Sequence, residues 1–383
     1  MKKLVYALSF IIFLTTCNNP DPLYNANKID DLISDLVELK RTVGVTYGIQ
    51  IEDSISLTKA YGLANLKDSI PLHSEHQFRI ASVTKPITAT AVLQLIEAGE
   101  LSIEDKINKF FPDFPKGNLI TVYQLLSHTS GIPNWWQAGG MPEQTPKDFP
   151  MCADPHRYIE KMKKTSLFEP GSFYSYSNTG YVLLGEIVEI VSGMSYESYI
   201  DKHIFDPSGM KNTELEHIEM SSPNWISGYA FSRSSKNPFV EPQYYHMPFA
   251  AGGLRSTPQD LLNFMNALFS GRLVSGTSLT MMTSYAKLNN GKPVYEGTYS
   301  QSGESKQPPG NLKNIGYGLG FQLMENFETF TISHGGDIAG FNAVLLYVPK
   351  SNTKLVILAN TENGILSKLK EIEKAATRIE VNP

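Results

Sequence analysis

Phe78-Arg79-Ile80-Ala81-Ser82-Val83-Thr84-Lys85 is the stretch on which the reading of this chain turns. Ala89, Val92, Leu93 and Ile96 follow it at helical spacing and the stripe ends at Gly99, which predicts a buried helix opened by Ser82. Lys85, three residues on, then stands on the same face as Ser82. A helix start also offers free backbone N–H groups and the positive end of a dipole, both suited to an oxyanion. Pro86 falls in the first turn, where a missing N–H costs little. Ser-x-x-Lys itself occurs six times, beginning at Ser56, Ser82, Ser208, Ser284, Ser351 and Ser367, so context must choose among them. Ser56 and Lys59 lie in strand text, where residues three apart point to opposite faces. Ser208 and Ser351 lie in turns, and Ser284 and Ser367 in or beside polar segments. Only Ser82 opens an apolar helix.

Outward from this helix, the text divides into strands at both ends and helices between. Ile29, Leu32, Ile33, Leu36 and Val37 place a first amphipathic helix over 29–39, and 43–51 and 56–61 read as two strands joined at Glu52-Asp53-Ser54. From 101 to about 213 the pattern is mostly helical with long loops, including a short helix over 121–127 and another over 180–191. A further helix is predicted over 257–269. Strand text returns at 317–324, 329–333, 343–348 and 355–359, and a helix over 364–379 closes the chain. These elements predict an α+β fold: an antiparallel sheet built from both termini and flanked by helices. A helical subdomain over about 100–214 is inserted in it, with the site in the cleft between.

The chain has 383 residues, 41% of them hydrophobic, and a formal charge of −5 without a basic run. The length supports a large core, and the charge argues against a nucleic-acid partner. Lys2 and Lys3 precede the apolar run from Leu4 to Leu14, which is short for a membrane span and reads as an export signal over 1–16. Leu14-Thr15-Thr16-Cys17 resembles the lipobox of bacterial lipoproteins, which makes Cys17 the lipidation site and 17–27 a tether. The protein is then expected on the cell envelope, periplasm-facing or at the surface, with the folded domain over 28–383. Cys152, the other cysteine, has no partner if Cys17 carries lipid, so no disulfide is expected; its Pro-flanked neighbours read as a loop without an activating cation. Trp135 and Trp136 either wall a cleft or pack a loop. The histidines lack close spacing and there is no His-Glu-x-x-His, so neither metal nor cofactor is expected.

Two further motifs each occur once: Tyr176-Ser177-Asn178 and His334-Gly335-Gly336. Alone, the first reads as a turn with a buried tyrosine and the second as a strand histidine. In order after Ser82 and Lys85 they supply a nucleophilic hydroxyl, an amine, a phenol, an amide and a Gly-lined strand, enough to acylate a serine without a Ser-His-Asp triad. With Leu125-Leu126-Ser127-His128-Thr129-Ser130-Gly131, Tyr174-Ser175 and Ala251-Gly252-Gly253-Leu254, the chain resembles the serine β-lactamase-like family from about residue 30 to 375. The branch is that of class C β-lactamases, D-alanyl-D-alanine carboxypeptidases and related esterases.

The resemblance implies Ser82 as nucleophile, with Lys85 and Tyr176 together taking its proton, and leaves open which of the two is the base. It implies Asn178, His334, Gly335 and Gly336 as substrate-binding residues, and the N–H groups of Ser82 and Asp337 as the oxyanion hole. His128 reads as a helix-end contact. Efficient β-lactamases of the family carry Lys where His334 stands, which favours peptide (D-amino-acid-containing, cell-envelope type) or ester cleavage. The alternatives are a class C-like β-lactamase and a catalytically silent relative that binds a small-molecule or peptide ligand. A silent relative would be expected to lack Ser, Lys or Tyr, and all three are present.

Overall fold

The structure of the protein, a computed structural model, describes residues 22–52, 55–134, 166–216, 222, 224–231, 238–240, 248–295, 315–325 and 329–378. The expected leader, Cys17, Cys152, Trp135 and Trp136 lie outside the described residues. Among the described residues no helix is long and apolar enough to cross a membrane.

The chain enters through helix α1 (Pro22–Glu38) and strands β1 (Gly44–Ile51), β2 (Ile55–Asn65) and β3 (Ile70–Pro71). It returns to the same sheet with β9 (Ile315–Tyr317), β10 (Gln322–Glu325), β11 (Phe330–Ile338), β12 (Phe341–Val348) and β13 (Thr353–Ala359). The eight strands run in the order β3-β2-β1-β13-β12-β11-β10-β9, each pair antiparallel. The first and last long strands are therefore neighbours, with Val45 opposite Ala359 and Ile51 opposite Thr353. The fold is α+β, with a sheet assembled from both ends of the sequence, as expected.

Side-chain alternation sends the strands' two faces into two cores. Val45, Tyr47, Ile49 and Ile51 of β1, with Leu355, Ile357 and Ala359 of β13, meet Ile29, Ile33 and Leu36 of α1 and Ile372 and Ala376 of the last helix (Leu369–Thr377). On the other face, Ala343 and Leu345 of β12 and Val356 and Leu358 of β13 join a larger core. That core holds α2 (Thr84–Glu97), α3 (Val122–Leu126), α4 (Asn178–Ser192) and α5 (Pro258–Phe269). Covered on both faces, β13 buries all seven of its residues. Asp30 fastens α1 to the sheet by accepting hydrogen bonds from the Tyr47 hydroxyl (2.8 Å), the Lys59 ammonium (2.5 Å) and the Tyr61 hydroxyl.

Three differences from the sequence reading have simple causes. α1 starts at Pro22 rather than near Ile29, because proline fits a helix's first position without losing a bond. The single strand expected over 317–324 is two: the Gly318 N–H bonds the Phe321 carbonyl (2.9 Å) and Gly320 turns at φ 88°. A Cβ on Gly320 would stand 2.7 Å from the Ala89 methyl, so this turn presses directly on α2. Finally, β4 (Phe78–Arg79), β5 (Glu214–Leu215) and β8 (Leu254–Ser256) form a second sheet in the order β4-β8-β5. Such strands are too short to show a period. A two-stranded pair of β6 (Tyr229–Phe231) and β7 (Pro238–Val240) completes the strands described.

The small sheet leads straight into Ser82, and it is locked by buried charge. Glu216 accepts from Arg79 Nε (2.8 Å) and Nη2 (2.6 Å) and from Arg255 Nη2 (3.1 Å), with all three side chains almost fully buried. The Arg255 guanidinium also lies 4.0 Å over the Trp225 ring. Removing one member of a buried ion pair leaves charge without compensation, typically costing about 3–5 kcal/mol. Glu216→Gln is therefore expected to lower unfolding free energy by about that amount, measured by urea denaturation, since the carboxylate between two guanidiniums is lost.

Candidate active site

Ser82 sits in a 3-10 turn (Ala81–Val83) that runs directly into α2. The turn is held from behind, where the Ile80 N–H bonds the Leu254 carbonyl of β8 (3.0 Å). α2 is buried nearly all round, and its polar groups find partners inside the core: Thr88 donates to the Ala250 carbonyl (2.6 Å) and Thr90 to the Pro86 carbonyl (2.8 Å). Lys85 is fully buried, on the face of the helix that carries Ser82.

The Lys85 amine has three neighbours: Ala251 O at 2.7 Å, Asn178 Oδ1 at 2.6 Å and Ser82 Oγ at 3.0 Å. Burial holds it well below the usual lysine pKa of 10.5, because the interior disfavours the ammonium form. A neutral amine has two N–H donors and one lone pair. The two carbonyl oxygens can only accept, so they take the two donors and leave the lone pair for the Ser82 hydroxyl proton. Ala251 contributes this carbonyl from a turn over Phe249–Ala251. A backbone oxygen has no sequence signature, so the motif reading could not assign it.

Tyr176 and Asn178 arrive on a short loop at the start of α4. Ser177 between them caps that helix, its hydroxyl accepting the Gly180 N–H (3.2 Å). The Tyr176 ring lies 4.8 Å from the Lys85 Nζ and the Tyr181 ring 5.4 Å from it. Two side chains from the segment after α3 grip the loop's backbone. His128 Nδ1 accepts the Ser177 N–H (3.1 Å). Asn134 donates to the Tyr176 carbonyl (3.0 Å) and accepts the Asn178 N–H (2.7 Å). The sequence reading passed over Asn134 and placed His128 at a helix end. It is indeed there, but it also reaches the loop.

His334 lies in β11, buried, with Nδ1 2.7 Å from the Gly335 carbonyl and Nε2 3.0 Å from the Tyr317 hydroxyl. A carbonyl cannot donate, so Nδ1 carries the proton and Nε2 accepts from Tyr317. Burial, reinforced by Lys85, pushes its pKa down to about 3 against a weaker opposing contribution from the Gly335 carbonyl. His334 is thus a neutral imidazole near pH 7, with both nitrogens engaged.

β11 outruns β10, which pairs only with residues 330–333, so His334, Gly335, Gly336 and Asp337 have a strand partner on the β12 side alone among the described strands. Gly335 and Asp337 are exposed there. The strand passes close to the nucleophile's turn: a Cβ on Gly336 would fall 2.2 Å from the Ile80 carbonyl oxygen, whereas one on Gly335 would meet nothing within 4 Å. The expected site residues Ser82, Lys85 and Asn178 are in direct contact, Tyr176 packs over Lys85, and β11 brings His334, Gly335, Gly336 and Asp337 alongside.

Backbone strain also gathers here. Ala81 (φ 46°), His128 (φ 57°) and Phe249 (φ 44°) adopt the left-handed conformation, which costs a non-glycine residue roughly 1–2 kcal/mol. Each flanks a site atom: Ala81 precedes Ser82, His128 holds the Tyr176 loop, and Phe249 starts the turn that gives Ala251 O to Lys85.

Gly335 and Gly336 separate two roles of the strand. Gly336→Ala is expected to force β11 off the Ser82 turn and slow acylation of Ser82 by about a hundredfold or more, the scale of a 1 Å misplacement. Gly335→Ala is expected to keep reaction with a small organophosphorus probe while weakening longer substrates laid along the strand. Rates of adduct formation by mass spectrometry, with steady-state kinetics alongside, check both.

Comparison with known proteins agrees with this geometry. The family model described as Beta-lactamase matches residues 29–376. The chain is 29% identical over 321 residues to penicillin-binding protein 4* of Bacillus subtilis, covering 79% of this chain but 65% of that protein. It thus spans somewhat under two thirds of that relative's length. Among solved structures, D-amino acid amidase from Ochrobactrum anthropi SV3, complexed with L-phenylalanine amide, superposes with a TM-score of 0.77. It is 26% identical, with 93% of this chain and 97% of that chain covered. An octameric penicillin-binding protein homologue from Pyrococcus abyssi gives a TM-score of 0.73 at 27% identity, covering 92% of this chain and 79% of that one. Sheet order, the Ser82–Lys85–Asn178 contacts and the family match over nearly the whole chain lead to one conclusion: the protein belongs to the Beta-lactamase family.

Proposed function

We propose that the protein is a serine hydrolase that cleaves an amide or ester bond through an acyl-enzyme on Ser82. The observation that carries this reading is the fully buried Lys85 amine 3.0 Å from the Ser82 hydroxyl, its pKa held well below that of a free lysine. Lys85 takes the hydroxyl proton as Ser82 Oγ attacks the substrate carbonyl carbon. The oxyanion is received by the N–H groups of Ser82 and Asp337, the second from the free edge of β11. The proton then passes through the Lys85–Tyr176 pair to the leaving nitrogen or oxygen as its bond to carbon breaks. Water repeats the sequence to free Ser82. Asn178, whose Oδ1 is committed to Lys85, has its amide N–H₂ available for the substrate carbonyl.

Substrate preference follows from charge. His334 is neutral, Lys85 is buried where its charged form is disfavoured, and Arg79 bonds Glu216 through two of its nitrogens. None of these supplies a fixed cation for the carboxylate of a penicillin. This favours amides, peptides of D-amino acids or esters over β-lactams, in line with the amidase among the structural relatives. For the chain's start, Lys2, Lys3, the apolar run to Leu14 and Cys17 support export and lipid anchoring of Cys17 to an envelope membrane. Metabolic labelling with a fatty acid tests this: wild type should incorporate label and Cys17→Ala should not.

The decisive experiment is intact mass spectrometry after mixing the domain with a fluorophosphonate, beside Ser82→Ala. One adduct on wild type and none on the variant is expected; a folded wild type that stays unlabelled would sink the hydrolase reading. In a substrate panel, D-phenylalanine amide and p-nitrophenyl esters are expected to exceed nitrocefin in kcat/KM by about a hundredfold, the scale of one missing charge partner. Because the base must be unprotonated, kcat/KM should rise with pH through the depressed pKa of Lys85 and level off below the ordinary lysine value of 10.5. A limb centred near 10.5 would contradict a neutral Lys85.

A further inference from the structure

His128 is a fully buried imidazole beside the site to which the mechanism gives no task. Its ring is enclosed by aromatic side chains, with Tyr176 at 4.3 Å, Tyr317 at 4.7 Å, Tyr181 at 5.0 Å and Tyr174 at 6.0 Å between centroids. Its Nδ1 accepts the Ser177 N–H, so that nitrogen is unprotonated and, in the neutral ring, the proton is on Nε2. Nε2 is buried without a hydrogen-bond partner. Neither nitrogen is therefore offered to a substrate, and His128 is not a proton carrier in the reaction. It touches the machinery in two other ways, ring against the Tyr176 ring and Nδ1 on the peptide that joins Tyr176 to Ser177.

Asn134 reaches the same three residues by a different route. Its amide group spans the loop, donating to the Tyr176 carbonyl and accepting the Asn178 N–H. The backbone of Tyr176-Ser177-Asn178 thus has one carbonyl and two N–H groups tied to side chains from one segment, residues 128–134. That segment is itself anchored: the Thr129 N–H bonds the Gln124 carbonyl (2.9 Å), and the His128 carbonyl accepts the Ser175 N–H (2.9 Å). His128 adopts φ 57°, an outlier that persists only where surrounding structure imposes it.

We infer that His128 and Asn134 are positioning residues, a two-point clamp that sets where the Tyr176 ring and the Asn178 amide stand relative to Lys85 and Ser82. This rests on the hydrolase reading above and extends it. Asn178 Oδ1 takes one of the two Lys85 N–H groups, so a shift of the loop turns the amine and aims its lone pair away from Ser82. The effect falls first on proton transfer, which the fluorophosphonate labelling rate reads, with a smaller effect on substrate affinity through the Asn178 amide.

The test separates the hydrogen bond from the packing. His128→Phe keeps a ring against Tyr176 but leaves the Ser177 N–H without its acceptor; His128→Asn restores an acceptor at the Nδ1 position. Expected for His128→Phe is a fall of about 10- to 100-fold in both kcat and the fluorophosphonate labelling rate, with KM changed by less than about threefold, and recovery of most of that loss in His128→Asn. Asn134→Ala, which removes both hydrogen bonds from that side chain to the loop, should show the same loss, largest in kcat. The double variant should fall by less than the product of the two single losses, because both hold one loop. Wild-type labelling rates in His128→Phe and Asn134→Ala, or equal losses in His128→Phe and His128→Asn, would overturn the clamp. If the His128 variants fail to fold, Asn134→Ala decides. If wild type itself does not label, the hydrolase reading fails separately, and crystal structures of Asn134→Ala and His128→Phe still decide whether Tyr176 moves when the clamp is cut.

Discussion

Everything at the site depends on keeping one amine out of water. Lys85 has no carboxylate among its three hydrogen-bond neighbours; it has two carbonyl oxygens and the serine hydroxyl. In water a lysine holds its proton at neutrality. Inside a helix buried nearly all round, the protein interior weakens that preference, and in the neutral amine the two carbonyls fix where the lone pair points. The large core, the turn that presses Gly320 onto α2 and the sheet behind it therefore belong to the chemistry as much as Ser82 does. A looser core would rehydrate the amine and return it to the charged form, which cannot take a proton.

The parts legible in the sequence are those with a local signature. Ser82 and Lys85 three residues apart in a helix and the alternating strands at both ends depend on neighbours within a turn or two. The parts that could not be read depend on contacts between distant segments. Ala251 O meets Lys85 across 166 positions, and Glu216 meets Arg79 across 137; nothing in either segment names its partner. His334 was identified by its motif. That it is neutral, with Nε2 occupied by Tyr317, follows only from burial. β4, β5 and β8 are two or three residues long, below the length at which periodicity can speak.

The same division appears in the strained residues. Lys40, Ser69 and Lys116 also adopt left-handed φ, but they are exposed turn positions. Ala81 and His128 do so while buried, held by packing from several directions. The site is thus built from backbone that the surrounding fold constrains, and its precision derives from elements that never touch a substrate.

The pairing of β1 with β13 has a consequence for the order in which the molecule can form. Val45 finds Ala359 across 314 residues, and β11, although it pairs with its sequence neighbours β10 and β12, meets the turn at Ile80 from the late part of the sequence. Contacts of this range close large loops and make folding slow relative to helical proteins of similar stability. A chain growing from its first residue holds β1 and β2 as an unfinished hairpin, one edge bare, until the last strands are made. During that interval Ser82 and Lys85 already exist on a helix, but without β11 beside them and without the core that dries the amine. On the proposed mechanism, Ser82 then gains its reactivity only together with the late strands and the core they close.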